Sequence, residues 1–193
     1  MIAKPKKSDI SVIADLHMLS LPNELLSKLG RKFLTEIYSE ALNDKEALFF
    51  ISKTEKNLNG FIFLSKDSGA FYKKLIARRF FKVGLIIIEQ LRNDFSLLGK
   101  LVSTARYLLF SKAEPAPEIL VFSVHPDMQR NGIGSTLLKT LEDRLADAGI
   151  RVYNVKTTSL NRKSNNFYQK NGFEIIKSFN IQNREWSEYR KRI

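Results

Sequence analysis

Val121 to Leu138 reads VFSVHPDMQRNGIGSTLL. An apolar run ends at Val124, His125-Pro126-Asp127 turns the chain, and Gln129-Arg130-Asn131-Gly132-Ile133-Gly134 opens a segment whose leucines return at helical spacing. The stretch therefore reads as a strand, a turn and the first turn of a helix. The first amides of a helix have no partner within it, and the aligned peptide dipoles make that end positive. Glycines there let phosphate oxygens approach the backbone, and Arg130 adds a full charge, so the pattern suits a diphosphate. An ordinary strand-to-helix turn has the same outline. The spacing is not that of a dinucleotide fingerprint, which needs a third glycine and a later acidic residue. Nor is it a P-loop, because no Gly-Lys-Ser/Thr follows.

Around this stretch the chain alternates between strand and helix patterns. Glu118 to Val124 (EILVFSV) is a buried-strand candidate. Gly132 to Ala148 is a helix with Leu137, Leu138, Leu141 and Leu145 on one face and Gly149 as its stop. Arg151 to Thr157 reads as a strand, Ser164 to Asn171 as a short helix stopped by Gly172, Phe173 to Phe179 as a strand, and the rest to Ile193 as a polar tail with a lone Trp186. Upstream, Ala47 to Ser52 and Gly60 to Ser65 flank the polar segment Lys53 to Asn59 and predict an antiparallel hairpin. Ser8-Asp9 is an N-cap signal before Ile10, Ile13 and Leu16. Pro22 interrupts, and a second helix is expected from Asn23 to Leu42 with a bend at Gly30. Lys66 to Pro117 has helical spacing, interleaves bulky apolar with basic residues, and is closed by Pro115 and Pro117. No repeat or linker interrupts this order, which predicts one mixed α/β domain over residues 1–193 with a partly parallel sheet.

Composition narrows the chemistry. With 44% hydrophobic residues the chain can build a core, which argues against global disorder. There is no cysteine, so disulfides, thiolate metal sites and thiol catalysis are out, and a reducing compartment suits the chain. His17 and His125 are the only imidazoles, too few for a multi-histidine metal site, so no metal is expected. Met1 to Ser11 has lysines without a following apolar stretch and does not read as a signal peptide. The longest apolar run, Val83 to Ile88, is too short to span a bilayer. The expectation is a soluble, cytoplasmic protein. The formal charge of +12 favours anionic partners: nucleic acid, an acidic membrane face or a phosphate-rich small molecule. A solvated basic surface explains it equally. Charge is the only support for nucleic acid, since no zinc-finger or RNP sequence accompanies it, and none is expected as a partner.

Gln-Arg-Asn-Gly-Ile-Gly after Val-His-Pro resembles the acyl-CoA-binding motif of the GCN5-related N-acetyltransferase (GNAT) superfamily. A second stretch, Asn161 to Phe173, resembles the later motif of that superfamily: an asparagine after a strand, a tyrosine seven residues on at Tyr168, then Gly172-Phe173. Both occur in the expected order, and together they span about Glu118 to Phe179. The resemblance implies a mostly antiparallel mixed sheet with a splayed parallel strand pair, flanked by helices, with a helical insertion at about 66–117. It implies an acyltransferase using acetyl-CoA as acyl-donor cosubstrate and a small-molecule amine as acceptor, an amino sugar among the candidates, acting as monomer or homodimer. Phe122, Ser123 and Val124 would pair with the pantetheine arm as with an added strand. Backbone amides of Arg130, Asn131, Gly132, Ile133, Gly134 and Ser135 would hold the diphosphate. Asn161 would hydrogen-bond the pantetheine arm or support the site, a role compatible with capping a helix. Tyr168 would stand near the thioester sulfur, where its phenol could donate a proton to the leaving CoA thiolate. Packing is the alternative for Tyr168.

The general base is the open position. Several protein-acetylating members carry a glutamate on the strand before the asparagine. Here the equivalent is Lys156, which counts against acetylation of a ribosomal-protein N-terminus. Glu118 and His125 are candidate bases, with surface and turn roles as the alternatives. By the same resemblance His17, Asn23 and Glu24 border the acceptor pocket, unless they serve core and cap. The insertion could cover that pocket, mediate dimerisation or lie on an anionic membrane. It also loosely resembles superfamily members that acylate sugars of surface polysaccharides.

Overall fold

The computed structural model describes residues 1–55, 57–110, 116–181 and 184–193. Strand β1 (Ile2–Ala3) leads through a 3-10 turn into helix α1 (Ile10–Ser20), the short α2 (Leu25–Lys28) and α3 (Gly30–Asn43). Strands β2 (Ala47–Lys53) and β3 (Leu58–Ser65) follow, then helices α4 (Ser68–Asn93) and α5 (Leu97–Phe110). The chain continues as β4 (Glu118–Val124), α6 (Ile133–Asp147), β5 (Val152–Thr158), α7 (Arg162–Lys170), β6 (Glu174–Ile181) and β7 (Arg184–Arg192).

The seven strands form one sheet in the order β1-β2-β3-β4-β5-β7-β6. All neighbours pair antiparallel except β4 and β5, which run parallel. The sheet carries a core on each face. Phe61 and Phe63 of β3 point towards α1, α3 and α4, whereas Ile62 and Leu64 point towards α6. All four are fully buried. A strand covered on both faces must be apolar at every position, which is why GFIFLS reads as an unbroken run. Each such side chain contributes about 1.5–3 kcal/mol relative to an exposed one.

Two readings change and a third gains detail. The helix expected from Asn23 to Leu42 is two helices: Gly30 takes a left-handed φ of 84°, so the chain turns rather than bends. The insertion is a helical pair, α4 and α5. Pro117 precedes β4, while Pro115 lies outside the described residues. The tail read as polar becomes β7, inserted between β5 and β6. Its charges are used across the ladder: Asn154 of β5 donates to Glu188 at 3.1 Å and accepts from Arg190 at 3.1 Å. Its Ser187 and Tyr189 are buried. No helix among the described residues is long and apolar enough to cross a membrane.

Candidate active site

β4 and β5 pair only at the first two residues of β4, Glu118 with Asn154 and Ile119 with Val155. At that point β4 also slips against β3: Val121 faces Phe63 and Ile119 faces Leu64, leaving Leu120 without a partner. An extra residue of this kind is a β-bulge, which bends its strand and sharpens the twist. From Leu120 onward β4 stays with β3 and parts from β5, so the sheet opens towards the carboxyl ends of both strands. The His125 amide donates to the Asn59 carbonyl at 2.8 Å. Antiparallel alternation then turns the Ser123 backbone towards β3 and the Phe122 and Val124 backbones into the opening. The Ser123 hydroxyl is buried without a partner.

The turn after β4 ends in two left-handed residues, Arg130 (φ 64°) and Gly132 (φ 75°). A left-handed arginine costs about 1–2 kcal/mol, and such strain gathers at functional sites. Gly132 is the N-cap of α6 and supplies no side-chain cap. Its carbonyl closes the first turn with the Thr136 amide at 3.0 Å. The amides of Ile133, Gly134 and Ser135 have no acceptor within the helix. Gln129 to Gly132 is exposed, and Arg130 makes no ion pair with a described residue. The result is a cationic, uncapped helix start facing solvent.

This start is pressed against α7. A Cβ on Gly134 would lie 3.3 Å from the Phe167 ring and 3.7 Å from that of Phe122. Those two rings meet edge to face at 5.4 Å, tying β4 to α7 beside α6. Asn161 caps α7, its side-chain oxygen accepting from the Ser164 amide at 3.1 Å. Tyr168 is 5% exposed, packed against Phe167, Phe173 and Tyr189 at 5.2–5.7 Å between centroids. Its hydroxyl has no hydrogen bond to a described residue. Burial pushes this phenol well above its ordinary range, so it remains protonated and available as a donor. Packing and an unspent hydroxyl therefore coexist in one residue.

The candidate bases are placed less favourably. Glu118 is held by Lys156 at 2.8 Å and by the Ser68 hydroxyl at 3.3 Å. Burial raises its pKa against the pull of Lys156. It sits where β4 and β5 are still joined, and at about 3.3 Å per residue it stands roughly 20 Å along the strand from Val124. His125 caps a 3-10 turn, its Nδ1 accepting from the Asp127 amide at 3.3 Å. The ring borders a depression of about 540 Å³ between α1 and the β2–β3 turn. His17 is 2% exposed, bonds through Nδ1 to the Tyr38 hydroxyl, and is held neutral by burial with a pKa of about 4, as befits a core residue. Glu24, at the start of α2, is half-buried; burial raises its pKa and Arg184 of β7 opposes the rise. Asn23 precedes it and is exposed.

Sequence reasoning did not single out Leu120, Arg184 or the contact of Phe167 with Gly134. Leu120 carries no signal, since a bulge exists only between two strands. Arg184 lies in what read as a polar tail. Phe167 could have been suspected from its place beside Tyr168. No group of acidic and histidine side chains suited to a metal occurs among the described residues.

The fold has many solved counterparts. One is PaiA N-acetyltransferase from Thermoplasma acidophilum in complex with coenzyme A (TM-score 0.62, 16% identity, all of this chain and 98% of that one). An aminoglycoside 6'-acetyltransferase type Ii aligns with TM-score 0.63 and 16% identity over all of this chain and 96% of its own. An IAA acetyltransferase from Bacillus cereus gives 0.55 and 16% over all of this chain and 99% of its own. At such identities the likeness establishes the fold. A comparison of the sequence with curated proteins finds no match. The sequence model described as the Acetyltransferase (GNAT) family matches residues 13–173, well over half of the chain. That span takes in the parted strands, the uncapped helix start and Tyr168, and by it the chain belongs to the GNAT acetyltransferase family.

Proposed function

We propose that the protein transfers an acetyl group from acetyl-CoA to a primary amine, in a single attack within a ternary complex. The observation that carries this reading is the opening between β4 and β5 beside the uncapped start of α6. The Phe122 backbone and the Val124 amide supply strand-like hydrogen bonds to the pantetheine arm, while the Val124 carbonyl accepts from the Gln129 side chain at 3.3 Å and Ser123 keeps its own bonds to β3. Amides from Arg130 to Ser135, with the Arg130 charge, hold the diphosphate. Asn161 orders the start of α7, which carries Tyr168.

A neutral amine attacks the thioester carbonyl, the carbon–sulfur bond breaks, the proton shed by the amine nitrogen passes through water to the departing sulfur, and the products are an amide and free CoA. With no cysteine available, no acyl-enzyme on sulfur forms. Positioning the amine against the thioester supplies most of the rate, and free strand amides polarise the carbonyl. Tyr168 hydrogen-bonds the departing sulfur. Its raised pKa makes complete proton transfer to a thiolate, whose conjugate acid titrates near pH 8.5, uphill, so the phenol acts as a donor and not as a proton source. An amine that arrives as ammonium first gives up one proton to water, and one that arrives neutral attacks directly, so neither route needs a side-chain base. The reading places the enzyme in the cytoplasm, with acyl-CoA.

A module that binds CoA without turnover is favoured by one observation, the capture of Glu118 by Lys156. The two readings part in one experiment. Acetyl-CoA raises the melting temperature under both. Thiol release across amino sugars, amino-sugar nucleotides, polyamines, amino acids and peptides occurs only if the protein is an enzyme. No shift with acetyl-CoA or CoA overturns both.

A further inference from the structure

The insertion presents an apolar ridge to solvent. Helix α4 is fastened to α3 on its inner side, where Phe71, Leu75, Val83 and Ile86 are buried, and Arg78 and Arg79 pair with Glu40 and Glu36 at 2.8 and 2.6 Å. At Arg79 the helix kinks, with φ −121° and ψ 15°. The next two residues, Phe80 and Phe81, both point outward, 64% and 82% exposed. Phe81, Leu85 and Ile88 follow at helical spacing along the outer face, Leu85 being 68% exposed. Past the end of α4, Phe95 is exposed as well. Bulky apolar groups in a continuous row on a soluble surface mark a contact.

The charge around the ridge selects the partner. Six basic residues lie in α4 (Lys73, Lys74, Arg78, Arg79, Lys82, Arg92) against one acidic residue, Glu89, and that one is paired with Lys32 at 3.0 Å. Lys73 and Arg92 make no ion pair with a described residue. Arg78 and Lys82, though they reach α3 carboxylates, keep side chains more than half exposed. Lys74 and Arg79 are held inward by Asp44 and Glu36 at 3.0 and 2.6 Å. We infer that the outer face of α4 lies on an anionic lipid surface, with Phe80, Phe81, Leu85 and Ile88 entering the headgroup boundary and Lys73, Arg78, Lys82 and Arg92 meeting lipid phosphates. A basic helix with an outward apolar face is the arrangement that binds in the plane of a bilayer. The helix is not apolar enough to cross one. A second copy of the chain is a poor occupant: it would bring an equally basic helix to the same contact, within a chain of net charge +12. The inference is independent of the acyl-transfer reading.

The test uses the full chain and vesicles of phosphatidylcholine alone, or of phosphatidylcholine and phosphatidylglycerol in equal parts, at physiological salt. Co-sedimentation is expected with the anionic vesicles and not with the neutral ones. Phe81→Ser with Leu85→Ser should weaken it by about tenfold or more, as should Lys73→Glu with Arg92→Glu. These side chains are exposed, so melting temperature and its shift with acetyl-CoA should stay unchanged, which excludes misfolding. Equal binding to both vesicle types, or none to either, overturns the inference. So does a solution dimer that the Phe81→Ser, Leu85→Ser variant dissolves, which would assign the ridge to a second copy.

Discussion

Helices α6 and α7 each follow a strand of the central sheet at the open side of the molecule, and their first turns are completed in opposite ways. The start of α7 is finished by the protein itself, through the side chain of Asn161 on the Ser164 amide. The start of α6 is left open: Gly132 offers no side chain, its neighbour Arg130 is strained into a left-handed conformation, and the loop is exposed. One helix start is closed by a side chain of the protein; the other, in the proposed reading, is closed by the anion of the cosubstrate. The rings of Phe122 and Phe167, meeting beside Gly134, keep the two starts together. An asparagine at one N-cap and a glycine at the other make the difference, and the proposed function assigns support to the first and binding to the second.

The largest test of this division is Gly134→Asp. A carboxylate in the first turn of α6 complements the helix dipole, so the fold should survive once Phe167 yields a few tenths of an ångström. The same carboxylate stands where the diphosphate would, and CoA affinity should fall by more than about a hundredfold in calorimetry. Retained affinity would break the comparison outright.

Tyr168→Phe probes what the capped helix delivers. The ring packing is kept and only the unspent hydroxyl is lost. Turnover should fall by about tenfold to a hundredfold while CoA affinity holds. Unchanged turnover would reduce Tyr168 to packing.

Asn161→Ala removes the cap. Chemical denaturation should report a loss of about 1 kcal/mol, with CoA affinity changed by less than about threefold. The reverse pattern, intact stability with lost affinity, would make α7 a second binding start and erase the contrast.

The smallest effect is expected from Arg130→Gly. Relief of the left-handed strain is partly offset by the entropy of an added glycine, so stability should rise by a few tenths of a kcal/mol at about the limit of measurement. CoA affinity should drop about threefold for the missing charge. A variant that loses stability would show that Arg130 is not strained for the ligand.

Much of this site was legible because its parts are local. A glycine at the start of a helix, an asparagine before one and a tyrosine seven residues on are set by neighbours in the chain. Lys156 was equally visible as the wrong residue for a base, but its partner was not: the ion pair with Glu118 closes across two strands far apart in sequence. β7 escaped because REWSEYRKR has no apolar stretch. Its burial comes from β5 and β6, and its charges are matched by side chains that only the ladder brings near.

The sequence by itself determined the succession of strands β2 to β6 and the helical character of the segments between them, the glycine start of α6, the absence of a sulfur nucleophile and the membership of the family. These depend on residue type and short-range spacing, which the chain carries wherever it folds. Tertiary structure alone decided that Leu120 bulges, that β4 therefore leaves β5 after Ile119, and that the aromatic residues of α4 face outward. Each of those is a relation between segments: a register, a parting or an exposed face exists only once a second element is there to define it.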